Sequence, residues 1–420
     1  MKQLLIDRLG SRGEGVATYE GRRVFVPYAL AGETVGAEID GDHARLVKLV
    51  TPSPDRIAPM CDHFGDCGGC AVQTLRSEAY IGWKRSLVET ALRNAGLDFP
   101  VGPLIDAHGA GRRRVTFHAR FEQEETRVGF MAARSHRLIE IEACPLLTPE
   151  LAGAPAAARI LAAALATRGK PLDIAITATL DGLDVDLRGA GPLTDAESAA
   201  LVAAAKTLDL ARLTNHGRLV ALGRMPCVDV GGIRTPLPPG AFLQATQAGE
   251  AAIALRVLAG AKGAKRVADL FCGVGAFALR LAEFSAVSAY DSSAPAIDAL
   301  QTAVRGARGL RPVQAESRDL FERPLTAKEL AGFDCVVFDP PRAGAAAQAA
   351  ELAKAGVPLV IAVSCNAQSF CRDAAILRDG GYSTDELTPI DQFRFSPHLE
   401  IVAIFRRANE KKSGRRRLLG

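Results

Sequence analysis

The chain has 420 residues, 48% of them hydrophobic, and a formal net charge of +4; this length leaves room for two or three domains, each with its own core. A balance so close to neutral excludes a polybasic protein whose charge alone announces a nucleic-acid partner. No apolar run reaches the roughly 18 residues of a membrane span, and the N-terminus lacks the basic, apolar and small-residue order of a secretory signal. A cytoplasmic protein without membrane contact is expected. Its nine cysteines then read as ligands, nucleophiles or core fillers rather than disulfides.

Residues 3–7, 15–19, 23–26, 34–39 and 45–49 read as short β segments broken by glycine turns. Five such strands in so short a stretch predict a small OB-like β-barrel over residues 1–53, closed by Pro52-Ser53-Pro54. A cysteine-rich stretch, 61–70, precedes a predicted helix at 77–94. Residues 54–240 are assigned to a central α+β region, in which 156–166 and 195–207 read as alanine-rich helices. Alternation over 174–187 around Asp181-Gly182 predicts a β-hairpin.

From residue 241 to 408 apolar strands at 266–270, 287–291, 335–339 and 359–364 alternate with helices at 275–283, 294–305, 345–355 and 368–379. That pattern predicts a Rossmann-like, doubly wound parallel sheet. Segments 384–390 and 399–405 follow with no helix between them, so an antiparallel pair ends the sheet. Basic clusters stand at Arg112-Arg113-Arg114 and in a tail, 409–420, that carries Lys411-Lys412 and Arg415-Arg416-Arg417. Such clusters fit a solvated surface as well as they fit a nucleic-acid contact.

Four patterns carry chemistry. In Asp269-Leu270-Phe271-Cys272-Gly273-Val274-Gly275 a strand enters a glycine turn, where backbone N–H groups can approach a ligand closely. Asp291 ends the next strand, where a carboxylate suits ribose hydroxyls; nicotinamide and adenosylmethionine both fit such a site. Phe338-Asp339-Pro340-Pro341-Arg342 gives a stiff turn at a strand's carboxyl end, with the Asp339 carboxylate facing the crevice. Cys365, in Val363-Ser364-Cys365-Asn366, occupies a strand-to-helix switch, where a helix N-terminus favours a thiolate nucleophile. Glu400, in Pro397-His398-Leu399-Glu400-Ile401, heads the final apolar strand, a place for a charge only if it is a base or a surface cap. Finally Cys61, Cys67 and Cys70 are joined much later by Cys144-Pro145. Four thiolates hold either zinc or an iron–sulfur cluster, and His63, His118 and His136 stand nearby as spare ligands or ordinary polar residues.

In their order these motifs resemble the RNA uracil-5-methyltransferase family, in the form with an N-terminal TRAM domain, from about residue 3 to residue 406. Gly13-Glu14-Gly15-Val16-Ala17 and Val24-Phe25-Val26-Pro27 are similar to TRAM sequences, which contact RNA. Lys84, Arg114, Gly129-Phe130 and Ser135-His136 fall in the family's central region. The resemblance implies a 4Fe-4S cluster on Cys61, Cys67, Cys70 and Cys144, and S-adenosyl-L-methionine with uracil against Gln244, Phe271, Asp291, Asp319 and Asp339. It further implies Cys365 as nucleophile and Glu400 as base. Two departures from the family pattern stand out: Ala276 stands in place of a frequent asparagine, and Tyr290-Asp291-Ser292 in place of valine-glutamate-glycine, so a ribose contact that is longer or bridged by water is expected.

Thiolate addition to carbon 6 of uracil would make carbon 5 nucleophilic enough to accept a methyl group. The expected substrate is a uridine in structured RNA, 23S ribosomal RNA first and the transfer-RNA T-loop second. A monomer without obligate protein partners is expected. An adenine amino-methyltransferase would need no Cys365, and an inactive RNA-binding factor would have lost Cys365 or Glu400.

Overall fold

The computed structural model describes residues 1–122 and 125–407; the basic tail 409–420 lies outside the described residues. Strands Lys2–Leu9, Gly15–Tyr19, Arg22–Val26, His43–Thr51 and Thr34–Asp40 close, in that order, into a barrel. Closure follows from alternation: Leu4 and Ile6, Val24 and Val26, and Val35 and Ala37 point inward and are buried. The fully buried Glu33 is met by Arg56 Nε at 2.5 Å, which ties the barrel to the segment that leaves it.

The central region is a seven-stranded sheet. Its order is Arg218–Leu222, Arg212–Asn215, Gly182–Arg188, Leu172–Thr179, Arg114–Glu122, Glu125–Met131 and Leu138–Glu140. Helices Ala154–Ala163 and Asp195–Thr207 share its core. The predicted hairpin is present, but its two loop residues are Leu180 and Asp181, because Thr179 pairs with Gly182.

The third layer is an eight-stranded sheet ordered Val313–Ser317, Ala286–Asp291, Arg266–Leu270, Cys335–Phe338, Leu359–Ser364, Glu400–Arg407, Tyr382–Asp391 and Ile105–Asp106. The first five run parallel, and Glu400–Arg407 is antiparallel to both neighbours. Chain direction through the sheet switches between Arg266–Leu270 and Cys335–Phe338, and ligands of open α/β sheets bind at such a switch.

Two expectations change here. Helix Ser77–Asn94 and strand Ile105–Asp106, assigned by sequence to the central region, belong to this third layer: Val88, Leu92 and Leu97 sit in its core. The helix itself was expected, but not the layer it covers, because its partners lie about 300 residues away, as the 307-residue gap from Lys84 to Asp391 illustrates. The helix expected over 275–283 shrinks to Ala278–Leu281, because left-handed backbone at Phe271, Gly273 and Gly275 holds the chain in turns until Phe277.

Candidate active site

Register alone brings the nucleophile and base candidates together. The antiparallel pair formed by Leu359–Ser364 and Glu400–Arg407 ends with Ser364 opposite Ile401, so one further step sets Cys365 across from Glu400. On the other side, Phe338 pairs with Ala362, which delivers Asp339 to the same edge of the sheet. Cys365, Asp339, Glu400 and Gln244 line one cavity of about 2030 Å³, together with Phe271, Asp291 and Asp319. The structure therefore gathers all seven sequence-selected residues of the catalytic half. The cavity exceeds the roughly 300–1,000 Å³ of a small-molecule site and continues over the cysteine loop to Arg12, Tyr28 and His43 of the barrel.

At one end the residues fit a nucleoside. Gly273 has φ +53, and a Cβ there would meet nothing within 4 Å, so its backbone borders open space. Gly275 has φ +94 and a Cβ there would lie 2.5 Å from Leu300 Cδ1, which requires glycine for packing. Asp291 Oδ2 accepts from Gly273 N–H at 2.9 Å and Oδ1 from Ser293 N–H at 2.8 Å. This short carboxylate is thus fixed against the glycine turn. Asp319 Oδ1 accepts from Phe321 N–H at 2.8 Å, and the Phe271 and Phe321 ring centroids are 5.5 Å apart. Phe321, 49% exposed, was not singled out from the sequence; an aromatic two residues after an acidic strand end has no distinctive pattern. Asp269, fully buried beneath, is raised well above the usual carboxylate range by burial and then by the Asp339 charge.

At the other end, Gln244 Nε2 donates to Asp339 Oδ2 at 3.3 Å. Gln392 Nε2 donates to Gln244 Oε1 at 2.5 Å and to Glu400 Oε1 at 3.0 Å. Glu400 is 2% exposed, and its Oε2 is buried without a hydrogen-bond partner. Burial first, then the charge of Asp339, push Glu400 up to about 8. Asp339 keeps some surface toward the cavity, but its carboxylate sits on the cleft floor and burial raises it to about 7.

Cys365 departs from its expectation. Burial, followed by the charges of Glu400 and Asp339, pushes its thiol up to about 11, opposed by Arg342. The helix terminus supplies little help because Asn366 caps helix Ala367–Asp379 with its own side chain, accepting from Gln368 and Ser369 N–H. A bare Cys365 is a thiol at neutral pH.

The other cysteines lie elsewhere. Cys272, Cys335 and Cys371 are buried, as is Cys227. Cys61, Cys67, Cys70 and Cys144 are free, half-buried, and border a second cavity of about 750 Å³, with His63, His118 and His136 around it. Burial, then the mutual charges of Cys144, Cys67 and Cys61, raise Cys70 to about 12. Among the described residues, no three or more His, Cys, Asp or Glu side chains close on a point as ligands of one metal ion. His118 Nδ1 is engaged with Asp173 at 2.7 Å. Arg112 and Arg114 border both cavities.

The doubly wound sheet, with Cys365 and the buried Glu400 at facing strand ends, belongs to a chain similar over nearly its whole length to proteins named RNA methyltransferases. The family model described as tRNA (Uracil-5-)-methyltransferase matches residues 241–408. An uncharacterized RNA methyltransferase of Brucella suis biovar 1 is 45% identical, over 97% of this chain and 98% of its own length. The 23S rRNA (uracil(1939)-C(5))-methyltransferase RlmD of Pseudomonas syringae pv. tomato is 34% identical, over 96% of this chain and 93% of its own. In fold, the chain is similar to the crystal structure of Pyrococcus abyssi tRNA (uracil-54, C5)-methyltransferase in complex with S-adenosyl-L-homocysteine. That match has a TM-score of 0.72 and 20% identity, and covers 96% of this chain and 100% of the other. The chain belongs to the RNA (uracil-5-)-methyltransferase family. No helix among the described residues is long and apolar enough to cross a membrane.

Proposed function

We propose that this enzyme methylates carbon 5 of one uridine in 23S ribosomal RNA through a covalent adduct between Cys365 and carbon 6. The observation that carries the reading is the pairing of Cys365 with a buried glutamate whose Oε2 is free, in the cavity that Phe271, Asp291 and Asp319 also line. The ribosomal target rests on the similarity to the RlmD relative over nearly the whole chain.

S-adenosyl-L-methionine, when bound, supplies an electrophilic methyl group. Phe271, Asp291 and Asp319 border the end suited to its nucleoside, and Gln244 with Asp339 borders the reacting end. Cys365 gives up its proton to solvent in the open cleft and its sulfur adds to carbon 6; the carbon 5–carbon 6 electron pair moves toward carbon 5, which becomes the methyl acceptor. Glu400 Oε2 then takes the carbon 5 proton, the double bond re-forms, and the Cys365–carbon 6 bond breaks. Both faces of the ring are used, so the uridine leaves its stack. The barrel, read as a TRAM domain, extends the cleft for the surrounding RNA.

Cys61, Cys67, Cys70 and Cys144 all border one cavity, and we read them as the holders of the 4Fe-4S cluster that the family resemblance implies, since four thiolates suit such a group. A cluster there would join the 61–70 loop to the 144–148 segment and so stabilise the cleft wall.

The experiment is adduct trapping. Glu400→Gln with substrate RNA is expected to accumulate a methylated protein–RNA adduct on Cys365 that survives denaturing electrophoresis, while Cys365→Ala gives neither adduct nor product. Mapping 5-methyluridine in total RNA from cells with and without the gene is expected to lose one 23S site; loss of a transfer-RNA T-loop site instead would move the target there. Methylation by Cys365→Ala would overturn the covalent mechanism.

A further inference from the structure

Gln392 is fully buried between Gln244 and Glu400. Its Nε2 donates to both, at 2.5 Å to Gln244 Oε1 and at 3.0 Å to Glu400 Oε1, so both amide protons are used. Its Oε1 accepts from Thr246 N–H at 3.2 Å, and Thr246 is itself fixed at the start of helix Gln247–Gly260, where its Oγ accepts from Gly249 N–H at 2.8 Å. Flipping the amide would set oxygen against two oxygens and an NH₂ group against an N–H donor, so only one orientation is consistent. Gln244, with its oxygen engaged, must turn its own NH₂ toward Asp339 Oδ2 at 3.3 Å. One directed chain of hydrogen bonds thus runs from Thr246 through Gln392, forking to Glu400 and, by way of Gln244, to Asp339.

We propose that Gln392 is a positioning residue that anchors Glu400 by Oε1, leaves Oε2 as its one proton-accepting atom, and fixes through Gln244 the amide at the reacting end of the cofactor site. The inference rests on the reading of Glu400 as base. Around Glu400 stand the carboxylate of Asp339, the Cys365 thiol and the Arg342 guanidinium. Asp339 and burial oppose its ionisation, whereas Arg342 and the Gln392 N–H favour it. Removing the Gln392 donor leaves Arg342 alone against them, and the carboxylate is free to rotate its two oxygens.

The test is Gln392→Met, which keeps an unbranched side chain and removes every hydrogen bond. Expected are a kcat reduced about tenfold or more, as for a misplaced general base, a KM for RNA changed less than about twofold, and an acid limb of kcat moved to higher pH. In single-turnover reactions methylated adduct is expected to build up before release, because elimination is slowed more than methyl transfer. Gln392→Asn, too short to span both partners, is expected to fall between Met and wild type in pH midpoint; it carries the test should Gln392→Met not fold. A wild-type pH midpoint with no adduct build-up, in whichever variant folds, would overturn the proposal, even at reduced kcat, since a purely structural residue lowers rate without moving the midpoint. The two readings separate cleanly. If Glu400→Gln traps no adduct, the base assignment fails; if it does and the Gln392 variants keep the wild-type profile, only the role of Gln392 fails.

Discussion

Lys84 Nζ lies 2.8 Å from Asp391 Oδ1, although 307 residues separate them in the chain. Lys84 is fully buried and also donates to the carbonyls of Phe393 and His398, at 3.3 and 2.5 Å. Tyr80 gives its hydroxyl to Asp391 and receives the Phe395 N–H at 3.0 Å. Helix Ser77–Asn94 therefore staples the loop that leads into Glu400.

Breaking that staple leaves Asp391 as an uncompensated buried charge, a loss of about 3–5 kcal/mol. Lys84→Met is expected to lower Tm and to reduce turnover by displacing Glu400. Adding Asp391→Asn removes the orphaned charge, so the double variant is expected to regain part of the Tm. Denaturation curves of the two variants check this; equal Tm values would mean that the ammonium matters only for packing.

A second expectation concerns pH. Asp339 is raised to about 7 and Glu400 to about 8, from ordinary values of 3.8 and 4.5. A carboxyl raised on folding contributes stability that is fully present below its unfolded value and is lost as pH climbs through its folded value. Glu400→Gln removes one such group. Relative to wild type its stability is expected to improve steadily between pH 4.5 and 8, by up to about 1.4 kcal/mol per pH unit. Wild-type turnover, which needs Glu400 ionised, is expected to rise over pH 6.5–8.5. Matched Tm measurements at pH 5.5 and 8.5 decide the first point: an unchanged difference between variant and wild type would rule out the raised carboxyl.

The same residues show what was readable in the chain and what was not. Cys365, Asp339 and Glu400 end apolar strands, and a charged or reactive group at such a place stands out against its neighbours. The bounds of strand Leu359–Ser364 followed from an unbroken apolar run. Gln392 left no such mark, because a buried glutamine is recognisable only through the partners folded around it. Lys84 was visible as a family residue, but its bond to Asp391 depends on tertiary closure. The thiolate expected at Cys365 is opposed first by burial and then by the Glu400 and Asp339 charges, neither of which a strand-to-helix switch in the sequence announces.

Anaerobically prepared protein is expected to be brown and to carry about four irons and four sulfides per chain. Cys67→Ser or Cys144→Ser is expected to bleach it and lower Tm, since both residues rim the same cavity, while Cys227→Ser, with its sulfur near Met225 O at 3.5 Å, leaves the colour intact. Metal analysis and absorption spectra are the readout. One zinc in a colourless protein would replace the cluster and leave the methyltransferase assignment standing.

The last expectation concerns how RNA is held. Arg112 and Arg114 are half-buried, border both cavities, and have no carboxylate partner among the described residues. The Arg114 guanidinium lies 4.8 Å from the centroid of Phe242, a ring 62% exposed. Burial, and then the nearby charges of Arg112 and Arg113, lower Arg114 to about 10, still cationic at neutral pH. A structural arginine in such surroundings would be paired, as Arg113 is with Glu250; an unpaired one is suited to a phosphate. Arg114→Met keeps the apolar contact with Phe242 and removes the charge. It is expected to raise the KM for RNA and to reduce the slope of log affinity against log salt by about one. Binding of S-adenosyl-L-homocysteine is expected to stay unchanged, because Arg114 is not among the residues at the nucleoside end. Filter binding across a salt series, with calorimetry for the nucleoside, measures both. An unchanged salt slope with weakened nucleoside binding would make Arg114 a support for Phe242 and Gln244 rather than an RNA contact.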